Sequence, residues 1–247
     1  SVTNPPSGYV HSANQSPFHV SSEGSNPVKS DYPIESGWPT RMTNRAVRGL
    51  ELLNANTAIS FDDFSDIKHD NAYSPRYRGY TYLSSVAELA PNGPEEAQAL
   101  SLIRDWDLHT DTANRNAALG VCILLEEWQA ERTENALPDA RETPHTCMGS
   151  VRDVAGRLDP EWGTVQQHGR GQRSWPVAGG PDTLRAMYAE RLEDEDDFLS
   201  VVAGDGLYYL IEWDAEGEQK IRGTHQYGSH MTDESSPHYL DQAECFS

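Results

Sequence analysis

The hydrophobic pattern of this chain changes part-way along, and that change limits the folds it can adopt. Between residues 40 and 160, apolar side chains recur every three to four positions, which is the period of an amphipathic helix. From Phe198 onward they occur in short β-branched and aromatic runs that are typical of strands. Helices followed by strands predict an α+β fold.

Local start signals mark the predicted helices. The first begins at Thr40 or Thr43 and carries an apolar stripe. The stripe consists of Met42, Ala46, Val47, Leu50 and Leu53. Further helices are predicted at a capping box of Ser60 and Asp63, at Pro94, at Asp111 or Thr112, and over residues 150–158.

The last third of the chain contains three predicted strands. Residues 198–203 and 207–213 flank Gly204-Asp205-Gly206, a spacing that predicts a β-hairpin with a glycine-containing turn. A third strand is predicted near Gln219–Thr224.

The charge balance excludes two classes of partner. Acidic residues outnumber basic ones by 39 to 19, giving a net charge of −20, whereas nucleic acids and anionic membranes are bound by clustered Lys and Arg. The longest apolar run, residues 117–125, is far shorter than the ~20 residues of a membrane-spanning helix. The three cysteines lack Cys-x-x-Cys spacing, so one disulfide or three free thiols both remain possible.

Several polar clusters have an ordinary structural interpretation. Asp105, Asp107, His109 and Asp111 are ligand types for hard cations, but the pattern lacks the glycine and terminal glutamate of a calcium loop. These acids are better explained as helix ends and caps. The acidic run at residues 190–197 is typical of a solvated loop, and the glycine-rich segments at 169–171 and 178–181 predict tight turns.

The opening segment contains a more specific candidate. A short strand is predicted at Tyr9 and Val10, and it breaks at Asn14-Gln15-Ser16-Pro17, so that Asn14 would project from a strand end. A carboxamide in such a position can donate an N–H to a developing oxyanion. The alternative is that Asn14 only stabilises a turn.

These residues resemble the penicillin acylase (penicillin amidase) family of N-terminal nucleophile hydrolases, in the later part of the β subunit. Residues 14–17 are similar to the family's Asn-Asn-x-Pro motif, with Gln15 in place of the second Asn, and residues 38–45 resemble a segment with an arginine ahead of a helix. Residues 227–229 and 236–242 are similar to the family's closing Gly-Ser and Ser-Pro-His-Tyr-x-Asp-Gln signature. The aculeacin and acyl-homoserine-lactone acylase branch looks most similar.

The resemblance implies a fold and a domain organisation. We expect an incomplete part of the family's αββα sandwich with a helical insertion. Residues 1–39 would form a strand and loop with the oxyanion motif, residues 40–160 a mainly helical part, and residues 161–247 the strands and closing motif. The partners would be the upstream part of the β chain and the α chain of one precursor, in the periplasm or outside the cell.

The resemblance also implies a reaction. An N-terminal serine would attack a linear amide of a penicillin, an acyl-homoserine lactone or a related N-acyl substrate, and water would hydrolyse the acyl-enzyme. Asn14 would be the oxyanion donor, and Arg41 would orient it and the polar groups of the substrate. Ser1 lies too close to Asn14 to match the nucleophile, which we expect upstream, so the chain alone would be inactive. No cofactor is implied beyond the family's calcium, for which no residue here matches a ligand.

A different class of protein is also compatible with the composition. A non-catalytic secreted domain that binds carbohydrate or protein would explain the acidic surface and the aromatic residues of the segment from residue 73 to 82. Exposed aromatic rings of this kind form platforms for sugars.

Overall fold

The computed structural model describes residues 2–193, 196–230 and 232–247. The helices in these ranges are α1 (Asn44–Ala55), α2 (Phe61–His69), α3 (Arg78–Ala87), α4 (Pro94–Arg104), α5 (Ala117–Arg132), α6 (Thr143–Ala155), α7 (Trp162–Val165) and α8 (Ala243–Phe246). The strands are β1 (Gln166–Arg170), β2 (Arg173–Pro176), β3 (Met187–Glu190), β4 (Leu199–Gly204), β5 (Tyr208–Trp213) and β6 (Gln219–Thr224). Two short 3-10 helices, Lys29–Asp31 and Ile34–Ser36, precede them.

The predicted α+β class is confirmed. Helices α3 to α7 pack around one core, and β2-β1-β4-β3 form a mixed four-stranded sheet beside it, with β1 and β4 parallel. Strands β5 and β6 form a separate antiparallel pair. The αββα sandwich of the resembled family stays a prediction.

Three helix starts lie where the sequence signals predict them. The Thr43 hydroxyl accepts a hydrogen bond from the Ala46 amide at 3.2 Å and caps α1. Ser60 and Asp63 form the reciprocal capping box of α2, and Pro94 opens α4. Each signal acts within one helical turn, so local sequence suffices to define it.

Two helices have other bounds than predicted. Helix α5 begins at Ala117 and not at Asp111 or Thr112, because the preceding residues pair with a distant segment. The Asn114 and Thr112 carbonyls accept hydrogen bonds from the amides of Trp162 and Gly163 at 2.9 and 2.8 Å. Helix α6 begins at Thr143, ahead of the predicted residues 150–158, and has a proline in its first turn.

The tyrosine-rich segment is part of the core. It leads into α3, which was not predicted, and Tyr73, Tyr77 and Tyr82 are 4%, 2% and 7% exposed. The Tyr73 hydroxyl donates to the Pro181 carbonyl at 2.6 Å, and the Tyr82 hydroxyl lies 2.7 Å from that of Thr143. The expectation of an exposed aromatic platform here is therefore wrong, because these rings fill the interior.

Trp106 joins the core to the loop that follows α4. Its ring packs edge-on against Tyr73 with 5.6 Å between centroids, and its indole N–H donates to the His109 carbonyl at 2.7 Å. Helix α5 approaches the ring so closely at Gly120 that a Cβ atom there would overlap it. Glycine is therefore required at this contact.

The predicted hairpin between residues 198–203 and 207–213 is wrong. Strand β4 pairs with β1 and β3, whereas β5 pairs with β6 across the turn at residues 214–218. The chain leaves the sheet at Gly204, which has a φ of +123°, and the Asp205 amide donates to the Ala186 carbonyl at 2.7 Å. The Asp205 carboxylate pairs with Lys68 at 2.5 Å and Arg185 at 3.5 Å, so tertiary ion pairs direct the chain away from a tight turn.

The opening segment also differs from the prediction. The structure assigns no strand within residues 2–43, so the strand predicted at Tyr9 and Val10 is wrong. Side chains there take the place of a strand partner: the Asn26 carboxamide oxygen accepts the amides of Val20 and Ser21 at 2.7 and 2.9 Å. The segment is therefore an irregular loop held by Asn and Gln side chains.

The closing motif ties the C-terminus to β6. The Gln242 carboxamide oxygen accepts from the His225 amide at 3.1 Å, and its own amide donates to the Tyr227 carbonyl at 2.8 Å. A Cβ atom on Gly228 would overlap the His238 carbonyl, so this approach requires glycine. The signature residues thus have a structural role in this chain.

Strands β5 and β6 expose an apolar face. Tyr209, Ile211, Trp213 and Ile221 are between 43% and 59% exposed. Isolated surface apolar residues are ordinary, whereas a contiguous group of this size is typical of an interaction surface.

Among the described residues no helix is long and apolar enough to cross a membrane.

Helices α5 and α6 are joined by a disulfide between Cys122 and Cys147, while Cys245 is free and exposed. Of the possibilities left open by the sequence, one disulfide is therefore present. Disulfides persist in oxidising compartments. The bond closes a loop with a sequence separation of 25 residues.

Removing this disulfide is expected to lower the free energy of unfolding by about 3 kcal/mol, because the cross-link restricts the unfolded chain. The change is the double substitution Cys122→Ala with Cys147→Ala, measured by urea denaturation. Cys245→Ala is the matched control and is expected to change the free energy by less than about 0.5 kcal/mol. Equal stabilities of the double variant and the wild type would contradict this prediction.

Candidate functional site

The turn that carries Asn14 is fixed by the side chain of Gln15. The Gln15 carboxamide oxygen accepts from the Ala13 amide at 2.5 Å, and its nitrogen donates to the carbonyls of His11 and His19, both at 3.0 Å. The Ser16 amide then donates to the Arg41 carbonyl at 3.1 Å, which joins the turn to the residues ahead of α1. A short loop is thereby held rigidly beside a helix start.

Asn14 lies at the tip of this turn with a φ of +61°. Asparagine tolerates this left-handed conformation better than most residues. Its carboxamide oxygen accepts a hydrogen bond from Nη2 of Arg45 at 2.9 Å. Asn14 is exposed, and because Arg45 occupies its oxygen, the amide nitrogen is the end of the carboxamide that can serve as an oxyanion donor.

Arg41 is placed differently from the prediction. Its carbonyl binds the Asn14 turn, but among the described residues the guanidinium that reaches the Asn14 side chain belongs to Arg45. Arg45 therefore makes the side-chain contact with Asn14 that was expected of Arg41, and the role of Arg41 stays a prediction. Arg45 lies in the first turn of α1, two residues after the N-cap residue Thr43, and this position brings its guanidinium to Asn14.

A buried carboxylate holds Arg45 from the other side. Oδ1 of Asp182 lies 3.2 Å from Nε of Arg45, and the Asp182 side chain is only 3% exposed. Oδ2 accepts the Asn44 amide at 2.6 Å, at the N-terminus of α1, where the helix dipole stabilises a negative charge. Asp182 has a φ of +60° and follows Gly179-Gly180-Pro181, so the predicted tight turn places this carboxylate.

Burial raises the pKa of Asp182 to about 6, against the lowering effects of the Asn44 amide, Arg45 and Arg41. The dominant cause is loss of solvation of the charged form. The carboxylate is thus ionised near neutral pH and becomes protonated under mildly acidic conditions. Burial also lowers the pKa of His11, and Arg45 adds to this effect.

Asn44 connects the site to the core. Its side chain is buried, donates to the carbonyls of Ala72 and Asp182 at 3.2 and 2.9 Å, and accepts from the Ser74 amide at 2.8 Å. One carboxamide therefore joins the start of α1 to two distant loops. Helix α1, the Asp182 turn and the segment ahead of α3 are held in one arrangement.

A cavity of about 340 Å³ opens beside Asn14. Its walls combine apolar side chains with Asn14 and Arg45, and they come from the opening loop, α1, α2 and β5. The lining includes Leu53, Phe64, Ile67, Leu184 and Leu210. The cavity is open, and its lining also includes the polar side chains of His11, Ser12 and Lys68.

Hydrogen bonds within the protein involve the four residues that the sequence offers as ligand types for hard cations, namely Asp105, Asp107, His109 and Asp111. Asp107 accepts from the His109 amide and from the Asn114 side chain, and Asp111 accepts from Asn71. Within the described ranges no group of three or more His, Cys, Asp or Glu side chains is arranged to hold a metal ion. Part of the acidic run, residues 194 and 195, lies outside the described residues, as does Ser1.

Sequence reasoning missed two residues of the site, Arg45 and Asp182. The Thr43 cap indicates that Arg45 lies in the first turn of α1, but it does not indicate the direction of the Arg45 side chain. Asp182 offers no such signal, since it lies 138 positions from its partner Asn44. The Gly-Gly-Pro-Asp turn indicates only a backbone conformation.

A carboxamide donor held by an arginine, beside an apolar cavity in an α+β chain, defines a site suited to stabilising negative charge. The model of the penicillin amidase family matches residues 1–247, and the chain belongs to that family.

Acyl-homoserine lactone acylase PvdQ of Pseudomonas fluorescens strain Pf-5 is a relative. It is 28% identical over 115 residues, which make up 46% of this chain and 14% of that protein. The match therefore spans about one seventh of the relative's length.

Proposed function

We propose that this chain forms part of an amidohydrolase that cleaves the linear amide of an N-acyl substrate. The substrate class includes penicillins and acyl-homoserine lactones. An N-terminal serine from an upstream part of the polypeptide attacks the carbonyl carbon, and Asn14 donates a hydrogen bond to the oxyanion that forms. The amine leaves, and water then hydrolyses the acyl-enzyme.

The observation that supports this proposal most directly is the 2.9 Å hydrogen bond from Arg45 to the Asn14 carboxamide oxygen. It fixes which end of the carboxamide faces outward, so the donor is preorganised before substrate binds. Family membership makes an acyl-transfer reaction the natural use of such a donor. Arg41 remains proposed as a contact for polar groups of the substrate.

The partners follow from the same proposal. The family has processed precursor chains, so we assign the upstream β-chain segment and the α chain as partners, and the exposed face of β5 and β6 is a surface suited to them. The disulfide between Cys122 and Cys147 supports a periplasmic or secreted location. The rival binding domain is not favoured, since three of the four tyrosines in its aromatic segment, Tyr73, Tyr77 and Tyr82, are buried and Tyr80 alone of the four is exposed.

The test is hydrolysis by the complete, processed enzyme. We expect release of the carboxylic acid and the amine in equal amounts from N-acyl-homoserine lactones or from penicillin, followed by mass spectrometry. We propose that the α-amino group of the N-terminal serine takes the proton from its hydroxyl, so blocking that amino group should abolish the reaction. An enzyme that binds these amides but releases no acid would exclude the proposed function.

A further inference from the structure

A continuous series of polar contacts leads from the exposed Asn14 to the interior. Arg45 donates to the Asn14 carboxamide oxygen at 2.9 Å through Nη2, and its Nε lies 3.2 Å from Oδ1 of Asp182. Among the described residues neither of these two buried atoms, Nε and Oδ1, makes a hydrogen bond, so the contact between them is an ion pair. The negative charge of the carboxylate is therefore what holds Nε of the guanidinium at this place.

Asp182 itself is anchored on two sides. Its carboxylate accepts the Asn44 amide, and its carbonyl accepts the Asn44 side chain. The preceding residue, Pro181, receives the buried Tyr73 hydroxyl at 2.6 Å. The carboxylate thus belongs to the rigid core, while Asn14 belongs to a surface loop.

We propose that Asp182 is a positioning residue, which fixes Arg45 and through it the orientation of the Asn14 carboxamide during amide hydrolysis. This inference rests on the proposed function. Without the Asp182 charge, Arg45 loses the buried carboxylate that it pairs with in the described part of the chain, and the Asn14 carboxamide can rotate to present its oxygen to the developing anion. The loss of this orientation should lower kcat and leave KM nearly unchanged, because the carboxamide donates its hydrogen bond in the transition state.

The substitution Asp182→Asn removes the negative charge and is expected to keep the local backbone conformation. Asparagine is the residue other than glycine that best accepts a positive φ, and its oxygen can still accept the Asn44 amide. Its amide nitrogen then faces Nε of Arg45, so two donors oppose each other and the guanidinium is released.

The environment of Asp182 also predicts a pH effect. The titratable and charged groups that influence it are Arg41, Arg45, Tyr73, Tyr77, Glu131 and Tyr188. Burial raises the pKa of Asp182 itself to about 6. Below that pH it becomes neutral, so the wild type should lose kcat there, whereas the Asp182→Asn enzyme should lack this dependence.

The experiment compares Asp182→Asn with Asp70→Asn in the complete enzyme. Asp70 is a matched control, because it binds Arg48 of the same helix at 3.0 and 2.8 Å, and Arg48 has no described contact with Asn14. We expect Asp182→Asn to lower kcat by about tenfold or more with KM within about twofold, and Asp70→Asn to leave both nearly unchanged.

A crystal structure of the Asp182→Asn enzyme supplies a readout besides activity. We expect the contact between Arg45 Nη2 and the Asn14 oxygen to be lost. Retention of that contact, or an unchanged kcat in an enzyme that depends on Asn14, overturns the inference. If the wild type cleaves no N-acyl amide, the proposed function fails, and the crystallographic distance alone decides the positioning role.

Discussion

Replacing Asn14 by glycine in the complete enzyme is expected to lower kcat by about 100- to 1,000-fold, or roughly 3–4 kcal/mol of transition-state stabilisation. Arg45 holds the carboxamide by its oxygen, so its amide nitrogen is the end proposed to face the oxyanion. The oxyanion exists only after the serine has attacked, so KM should change little. Steady-state kinetics on one amide substrate measure both constants.

Glycine is the better replacement because Asn14 has a φ of +61°, where alanine would add backbone strain. Asn54→Ala is the matched control: it removes an exposed carboxamide from the end of α1, where its oxygen accepts the Tyr9 hydroxyl at 2.7 Å. We expect Asn54→Ala to retain wild-type kcat. A fully active Asn14→Gly enzyme would remove the oxyanion assignment.

Replacing Trp106 by alanine is expected to lower the free energy of unfolding by about 4 kcal/mol. The indole is 5% exposed, packs against Tyr73 and fills the space that Gly120 leaves open. Alanine would leave a cavity at the contact with α5, and it would remove one of the two donors to the His109 carbonyl, the other being the Asn114 side chain. Urea denaturation followed by circular dichroism gives the difference.

Trp38→Ala is the control for this variant, because Trp38 is 51% exposed and lies in the loop ahead of α1. We expect it to change stability by less than about 0.5 kcal/mol. A similar loss of unfolding free energy in both tryptophan variants would contradict the prediction that the buried contacts of Trp106 stabilise the fold.

The helix starts could be predicted from sequence because their causes are local. Thr43, Ser60 and Pro94 each act on backbone groups within the next turn. Helix α3 could not be predicted in this way. Its N-cap residue Tyr77 makes no side-chain capping bond, and its aromatic residues favour strands, so burial of Tyr82 and its neighbours against α5 decides its conformation.

The strand order and the full site depend on long-range contacts. The choice of β6 over β4 as partner of β5 follows from the ion pairs of Asp205 with Lys68 and Arg185, residues far away in sequence. Asn14 could be proposed from its motif, whereas its contact with Arg45 required the geometry of α1. Asp182 required the tertiary structure, because no periodic pattern links residues 44 and 182.

The start of α1 combines three consecutive tasks: Thr43 caps the helix, Asn44 anchors it and Arg45 reaches the turn of Asn14. Each residue added to a helix rotates the following side chains by about 100°. Inserting one residue after Thr43 would therefore swing the guanidinium to another side, although every hydrogen bond of the helix itself could still form. Residues 31–40 are exposed and do not set the direction of the Arg45 side chain. We therefore expect the chain to tolerate insertions and deletions within residues 31–40, but not directly after Thr43.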